Sequence, residues 1–408
     1  MKRPGQPKST WKRRGVVIAL TAICLITLLL CAALAIDVGY ICALTTEQQN
    51  NADAGALAGA SGLQDQDSTA ARSRALSLLA QNQEPQGYRS LSDQIIDFGW
   101  FDSVNLVFHP LDDPTDAFAI RVRAARNNVD LFFAPLMGIN TTDVWREAVA
   151  IGTKPCGGIW GLEGVRIPGN VLTDSYDSTG GPYAAATAGE EGDVCSGRGI
   201  RVMGSIEVHG DVMAGLGYMV DSRGGPIITG VTSATLDGVE PPPIDFGDIE
   251  SVNDNGAIPT TDGGASPFSS GWNLRIGDGD NLTLPPGEYY FDSVTMNGAA
   301  TLTLTGPTTI YVNGDFNQTG EGIVNTTMDP HDLTIYSMGK SVKINGEVDF
   351  YGTIVAPYAE VNVGGSANFY GALVGLTVRM YGDFNIHVDE SLEWAQPWFE
   401  PPNPFLVK

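Results

Sequence analysis

The stretches VKINGEVDFYGTIVA (342–356) and VNVGGSANFYGALVG (361–375) are one segment written twice, 19 residues apart. Phe350, Tyr351 and Gly352 fall on Phe369, Tyr370 and Gly371. A shorter step of 17 brings VRMYGDFNI (378–386) into the same frame. Apolar and polar residues alternate within each copy, which is the period of a strand with one buried face, and glycine falls where the chain must turn. Earlier copies read IRVMGSIEVHGDVMAG (200–215), IYVNGDFNQTG (310–320) and, more faintly, VRIPGNVL (165–172). A unit of 17–19 residues cannot bury its own apolar face, whereas stacked units bury a continuous core. The expected fold is mainly β, with a parallel β-helix (β-solenoid) over 156–392. A β-sandwich is the runner-up, because it uses strands of similar length and spacing. Stacking sets Lys343, Asn362 and Arg379 in one ladder, Glu347, Ser366 and Asp383 in a second, and Asp349, Asn368 and Asn385 in a third. Pro241, Pro242 and Pro243 open a Gly/Asp/Pro/Ser-rich stretch near 240–270 that reads as an insertion or long connection. The aromatic, proline-rich end, 393–408, reads as a cap on the open end of the solenoid, with a docking tail as the alternative.

The other end of the chain is of a different kind. Six of the 23 basic residues lie in the first 14 positions, with no acid among them. The run VVIALTAICLITLLLCAALAI follows, bounded by Val16 and Ile36, without charge, proline or glycine. At ~1.5 Å per residue it spans roughly 30 Å, the thickness of a bilayer's hydrocarbon core. It is longer than the apolar core of a cleavable signal peptide, so it reads as a retained transmembrane helix. The basic flank holds the N-terminus in the cytoplasm and sends the body out. The expected location is a bacterial inner membrane, single-pass, with the body periplasmic or extracellular. Net charge is −24, which excludes nucleic acid as a partner, since polyanion binding needs a basic surface.

Residues 37–63 are rich in alanine and glycine and read as a helical extension of the span. From Arg14-Gly15 through the apolar run to Asp37, Gly39 and the string Gln49, Asn50, Ala52, Asp53, Ala54, Ala56, Leu57, Ala58, Gly59, Ala60, the chain resembles the N-terminal segment of TadE/TadG-like Flp pilus-assembly proteins. The likeness continues through FGWFDSVNLVF (98–108) and AIRVRAARNNVDLFFAPLMGI (119–139), to about residue 150. It implies a basic tail (1–14), an anchor with its extension (15–62) and a small α+β region (63–155). Larger members of that family carry a von Willebrand A-type domain with an Asp-x-Ser-x-Ser metal site. Here the nearest string, Asp174-Ser175-Tyr176-Asp177-Ser178, has the wrong spacing. The strings LPPGEYYFDSVTMNGAATLTLTGPTTIYVNGDF (284–316) and FYGTIVAPYAEVNVGGSANFYGALVG (350–375) resemble bactofilin-like, polymer-forming solenoids in repeat style.

Chemistry is sparse. Cys24 and Cys31 lie in the span and Cys42 just past it. That leaves Cys156 and Cys195 as a candidate disulfide in an oxidising compartment. His109, His209, His331 and His387 are scattered, without metal-ligand spacing. The runs GDGDN (277–281) and NDNG (253–256) read as turns rather than calcium loops. No predicted ladder puts two acids side by side, as glycoside hydrolysis would need. No catalytic residue, metal site or cofactor is expected. The expected role is a structural or assembly component of a Flp (Tad) type pilus or related surface apparatus, with other pilus-assembly or envelope proteins as partners. The alternative is an adhesin or carbohydrate-binding solenoid contacting surface polysaccharide, with Tyr351, Tyr370 and Tyr381 as candidates. A polysaccharide-degrading enzyme ranks below both.

Overall fold

The computed structural model describes residues 11–63, 68–82, 91, 93–102, 105–112, 114, 117–152, 158–215, 217–230, 232–235, 244–392 and 405–407. Apart from two N-terminal helices, the regular structure is mainly strand. The chain divides into two units, one of residues 1–99, 110–152 and 404–408, the other of 100–109 and 153–403.

The first unit begins with α1 (Trp11–Leu63), one helix of 53 residues. No proline interrupts it. The apolar side chains from Val17 to Ile36 are exposed, and α1 is long and apolar enough to cross a membrane. Further along, Ala52, Ala56 and Ala60 are fully buried; their i, i+4 spacing makes one stripe along the helix. α2 (Ser68–Gln81) packs there through Ala71, Ala75 and Leu79. A methyl group on Gly62 would enter the backbone of Ala71, and one on Gly59 would strike Ile120. The small residues therefore let α1 approach both α2 and a sheet closely.

That sheet holds β1 (Asp93–Asp102), β2 (Val107–Pro110), β3 (Ala119–Asp130) and β4 (Thr141–Ile151), in the order β2-β1-β3-β4. Alternation along β3 decides its two faces. Ile120, Val122 and Ala124 are buried with the helices. Arg121 and Arg123 pair across the other face with Asp97 at 2.5 Å and Glu147 at 3.2 Å. Phe405 and Leu406 then pair with Ile151 and Ala150 of β4. The described end of the tail thus lies on the first unit's sheet, while the expected cap falls mainly on earlier residues of the tail. The end of the tail closes an open edge of the first unit's sheet, where β4 offers a row of unpaired backbone groups. Residues 393–404 lie outside the described residues.

The second unit is built from parallel pairings. In one ladder Arg275, Thr295, Asn317, Lys343, Asn362, Arg379, Arg166, Arg201 and Asp221 sit on nine adjacent strands. A second ladder carries the core column Tyr289, Ile310, Ile335, Ile354, Leu373, Ile159, Val194 and Val212 and ends at the exposed Thr232. Further short ladders join 281–284, 301–304 and 322–325, and likewise 383–389, 170–176, 206–208 and 227–228. One hydrophobic cluster runs through the whole stack. The steps of 19 and 17 reappear as the registers Val342↔Val361 and Val361↔Val378. Parallel registers of this kind do not come from the hairpins of a β-sandwich.

The winding order is not the sequence order. The chain enters mid-stack at 159–176 and winds to 232–235 at one end. It starts again at the other end with 273–276 and winds back until 369–389 lies against 159–176. The first and last parallel strands of this unit thus meet at a seam. Between the two runs, residues 244–272 lie along the starting end. Phe246 packs on Tyr311 with ring centroids 5.3 Å apart, Asn255 exchanges hydrogen bonds with the backbone of Tyr290, and Phe268 bridges Leu274. The expected long connection at 240–270 therefore covers a strand edge, while Pro241, Pro242 and Pro243 lie outside the described residues.

One corner explains much of the glycine content. A side chain on Gly365 would meet the carbonyl oxygen of Gly346; on Gly382, that of Gly365; on Gly169, that of Gly382; and on Gly204, that of Gly169. The copy at 310–320 is out of phase with this column. Its Gly314 follows the second-ladder strand Thr308–Val312, whereas Gly320 holds the corner.

Candidate functional site

The motif residues of the N-terminal segment act mainly through packing and one buried acid. Arg14, Gly15 and Val16 lie within α1. Gln49 donates to Asp53 at 2.6 Å. Ala54, Leu57 and Ala58 are half-buried beside the Ala52–Ala56–Ala60 stripe, and Gly39 faces open space. Asp37 is 3% exposed. Its carboxylate accepts the backbone N–H of Phe132 at 2.8 Å, of Phe133 at 2.9 Å and of Ala134 at 2.6 Å. Desolvation pushes this carboxyl up, but the three donors outweigh it and hold it below the usual carboxylate range. Cys195 is disulfide-bonded and buried, Cys24, Cys31 and Cys42 carry free thiols, and Cys156 lies outside the described residues.

The second unit gathers its polar chemistry at the seam. Tyr351 stacks on Tyr370 at 4.4 Å, and Tyr370 on His387 at 4.7 Å. His387 is in register with Asp174 across the seam, its Nδ1 2.5 Å from the Asp174 carboxylate, with both side chains nearly fully buried. After the strand Asn170–Tyr176 the chain bulges out through two short turns before Val194. This bulge brings Tyr183 over the His387 ring at 3.8 Å, and its hydroxyl donates to Asp174 at 2.7 Å. Burial, and then that bond to Asp174, raise the Tyr183 phenol. Burial pushes Tyr351 up to about 12, so both stay protonated donors at neutral pH. Asp174, Tyr183, Glu190, His209, Tyr370 and His387 are among the residues that line a cavity of ≈ 560 Å³. Asn368 accepts from Asn385 and takes its place in the predicted third ladder, its N–H donating to Asp349. A carboxylate-held imidazole beside phenols and amides suits hydrogen bonding to a hydroxyl-rich ligand.

In the sequence His387 stands apart from the other histidines. The 17-residue step from Tyr370 leads directly to it, but Asp174 and Tyr183 arrive only through the seam. The other histidines have partners of their own. His109 stacks on Trp100 at 4.1 Å, His209 meets Glu207 at 2.9 Å and His331 meets Asp329 at 2.9 Å. In the acidic runs, Asp254 accepts from Glu288 N–H and Asp278 from Ala299 N–H, which locks turns. Among the described residues no group of three metal-ligating side chains occurs.

A second feature follows the first ladder over the same seam. Lys343, Arg379, Arg166 and Arg201 are exposed on five adjacent strands, with Asn362 among them. Arg379 lies 5.8 Å from the Tyr381 ring, and Arg201 pairs with Asp221 at 3.0 Å. Shallow hollows flank Arg379, lined by Lys343, Glu360 and Tyr381 on one side and by Arg166 and Glu360 on the other.

Comparison with known proteins touches two parts of the chain. Residues 292–395 match a family described as a domain of unknown function (DUF7305). No curated protein matches. Among solved structures, the competence-associated pilin ComZ from Thermus thermophilus aligns over 79% of this chain and 88% of its own, at 12% identity and a TM-score of 0.22. Residues 15–62, which hold the apolar run, Asp37 and the alanine stripe, match the Tad family of Flp pilus-assembly TadE/G-like proteins, and the N-terminal segment of this chain is similar to that family.

Proposed function

We propose that this protein is a structural component of a Flp (Tad) type pilus or a related surface apparatus. In this reading α1 holds it in the inner membrane, with residues 1–14 cytoplasmic and the body exported as a parallel β-solenoid. The observation that carries the proposal is the family match over 15–62, joined to what those residues do. The apolar run is exposed along its length, Asp37 is locked at its end, and the alanine stripe fixes a sheet against the helix. A single-pass anchor with a basic flank gives the orientation. The stack supplies a rigid module, because neighbouring coils are joined by continuous backbone ladders. The role is structural rather than catalytic: many of the carboxylates accept backbone N–H groups in turns. A tagged full-length chain, extracted in mild detergent from its native cells, is expected to recover pilus-assembly or envelope proteins by mass spectrometry. Recovery of none of them, together with unchanged piliation in a deletion strain, would overturn this reading.

The cationic ladder favours a second reading. In a protein with 47 acidic and 23 basic residues, four exposed cations on five adjacent strands suit an acidic polysaccharide lying along the stack. Polygalacturonate is expected to bind the exported body at low salt, and R166E with R379E to weaken that binding at least tenfold. Equal binding by both proteins would remove this reading.

A further inference from the structure

The β3–β4 hairpin lies along α1 and runs toward its apolar end. Ile120 meets α1 at Gly59, and Val122 at Gly55. Val129 and Val144 pack with Leu44, and the Phe132 ring meets Tyr40 at 5.2 Å. The amides of Phe132, Phe133 and Ala134 then close on Asp37. Asp37 is the first residue after the apolar run ending at Ile36. The turn of this hairpin is thus tied to the level where the apolar part of the helix begins.

The turn itself is unlike a solvated loop. Residues 131–142, LFFAPLMGINTT, carry no charge, and Asp130 and Asp143 bound them. Phe132 is 63% exposed, Leu136 81%, Met137 66% and Ile139 53%. A water-facing hairpin turn has no reason to hold four large apolar side chains open; such a patch marks a binding surface. Gly138, at φ 84°, closes the short turn Ala134–Met137 so that it ends compactly.

We propose that residues 132–139 form a second membrane contact, in which the hairpin turn dips into the outer face of the bilayer that α1 crosses. This rests on reading α1 as a membrane anchor. Continuity selects lipid as the occupant. The patch sits where the exposed apolar surface of α1 ends, and an uncharged aromatic and aliphatic tip suits the boundary between headgroups and hydrocarbon. Asp37 is then a positioning residue: it sets the height of the tip and the rotation of the sheet about the helix.

The test uses the full-length chain with Cys24, Cys31 and Cys42 replaced by alanine, in phosphatidylethanolamine/phosphatidylglycerol vesicles. An environment-sensitive fluorophore is placed at Met137→Cys or, separately, at Leu28→Cys. Lipids carrying a quencher on the acyl chain are expected to reduce both signals at least twofold. Asp37→Ala is expected to release the label at 137 from quenching while leaving that at 28 unchanged. Quenching at 28 but not at 137 would overturn the proposal and leave the anchor standing. A label at 137 shielded from both lipid and aqueous quenchers would overturn it in favour of a protein contact. Quenching at neither site would overturn the anchor reading, and this proposal with it.

Discussion

Replacing Gly382 by valine is expected to be among the most damaging single changes in the second unit. Gly382 has φ 106°, a left-handed conformation that L side chains rarely adopt. A Cβ there would also press on the carbonyl oxygen of Gly365, 2.9 Å away, in a backbone fixed by parallel pairing on both sides. Backbone strain and overpacking each contribute on the order of 1–3 kcal/mol, so a loss of about 4 kcal/mol is expected. For a domain of this size that lowers Tm by roughly 10 °C, readable by calorimetry. Gly256 is the control. A Cβ there meets nothing within 4 Å, and Gly256→Ala is expected to change stability by less than about 0.5 kcal/mol. Equal Tm values for the two variants would mean that the glycine corner is not packed as described.

Phe369→Ala is the second large effect. Phe369 is 1% exposed, and its ring stacks on Phe350 at 4.8 Å. Truncating a buried phenylalanine costs about 3–5 kcal/mol through lost burial and the cavity left behind. The location of the damage is more informative than its size. Phe369 opens the strand that pairs with 159–161 and 164–166 across the seam. Amide exchange is therefore expected to speed up in the strand Ile159–Ile167, about two hundred residues away in sequence, as well as in 350–356. Faster exchange confined to 350–375 would contradict the seam.

The repeat made the stacking legible, because equal spacing of Val342, Val361 and Val378 leaves few other ways to bury one face of each strand. It also placed Lys343, Asn362 and Arg379 side by side, as the registers have them. What it could not give was the order of coils. The faint copy at 165–172 carries no mark that its neighbour is 378–389 rather than a coil next to it in sequence. Strand pairing is satisfied by any apolar edge of matching register, and only the whole stack selects one. The seam cluster was hidden for the same reason, since Asp174 and His387 become neighbours through that choice alone.

The N-terminal helix was legible for a simpler reason. An uncharged run of 21 residues and an alanine stripe are local patterns that need no distant partner. The role of Asp37 was not local. Its three donors come from 132–134, brought back by a hairpin whose length the motif does not encode. The composition of the tail does not show its neighbour either, since Phe405 and Leu406 answer to a free strand edge at β4.

The strands run out from the middle of the stack to one end, start again at the other, and close on 159–176. Spin labels at 166 and 379, and in a second protein at 221 and 275, test this order directly, with Cys24, Cys31 and Cys42 replaced by alanine. Residues 166 and 379 lie on adjacent strands, ~5 Å apart at the backbone. Residues 221 and 275 are the two ends of the nine-strand ladder, about 38 Å apart over eight strand spacings. Strong dipolar broadening is expected for the first pair and a long, narrow distance distribution for the second. Broadening for 221 and 275, with 166 and 379 far apart, would mean that the coils stack in sequence order and that there is no seam.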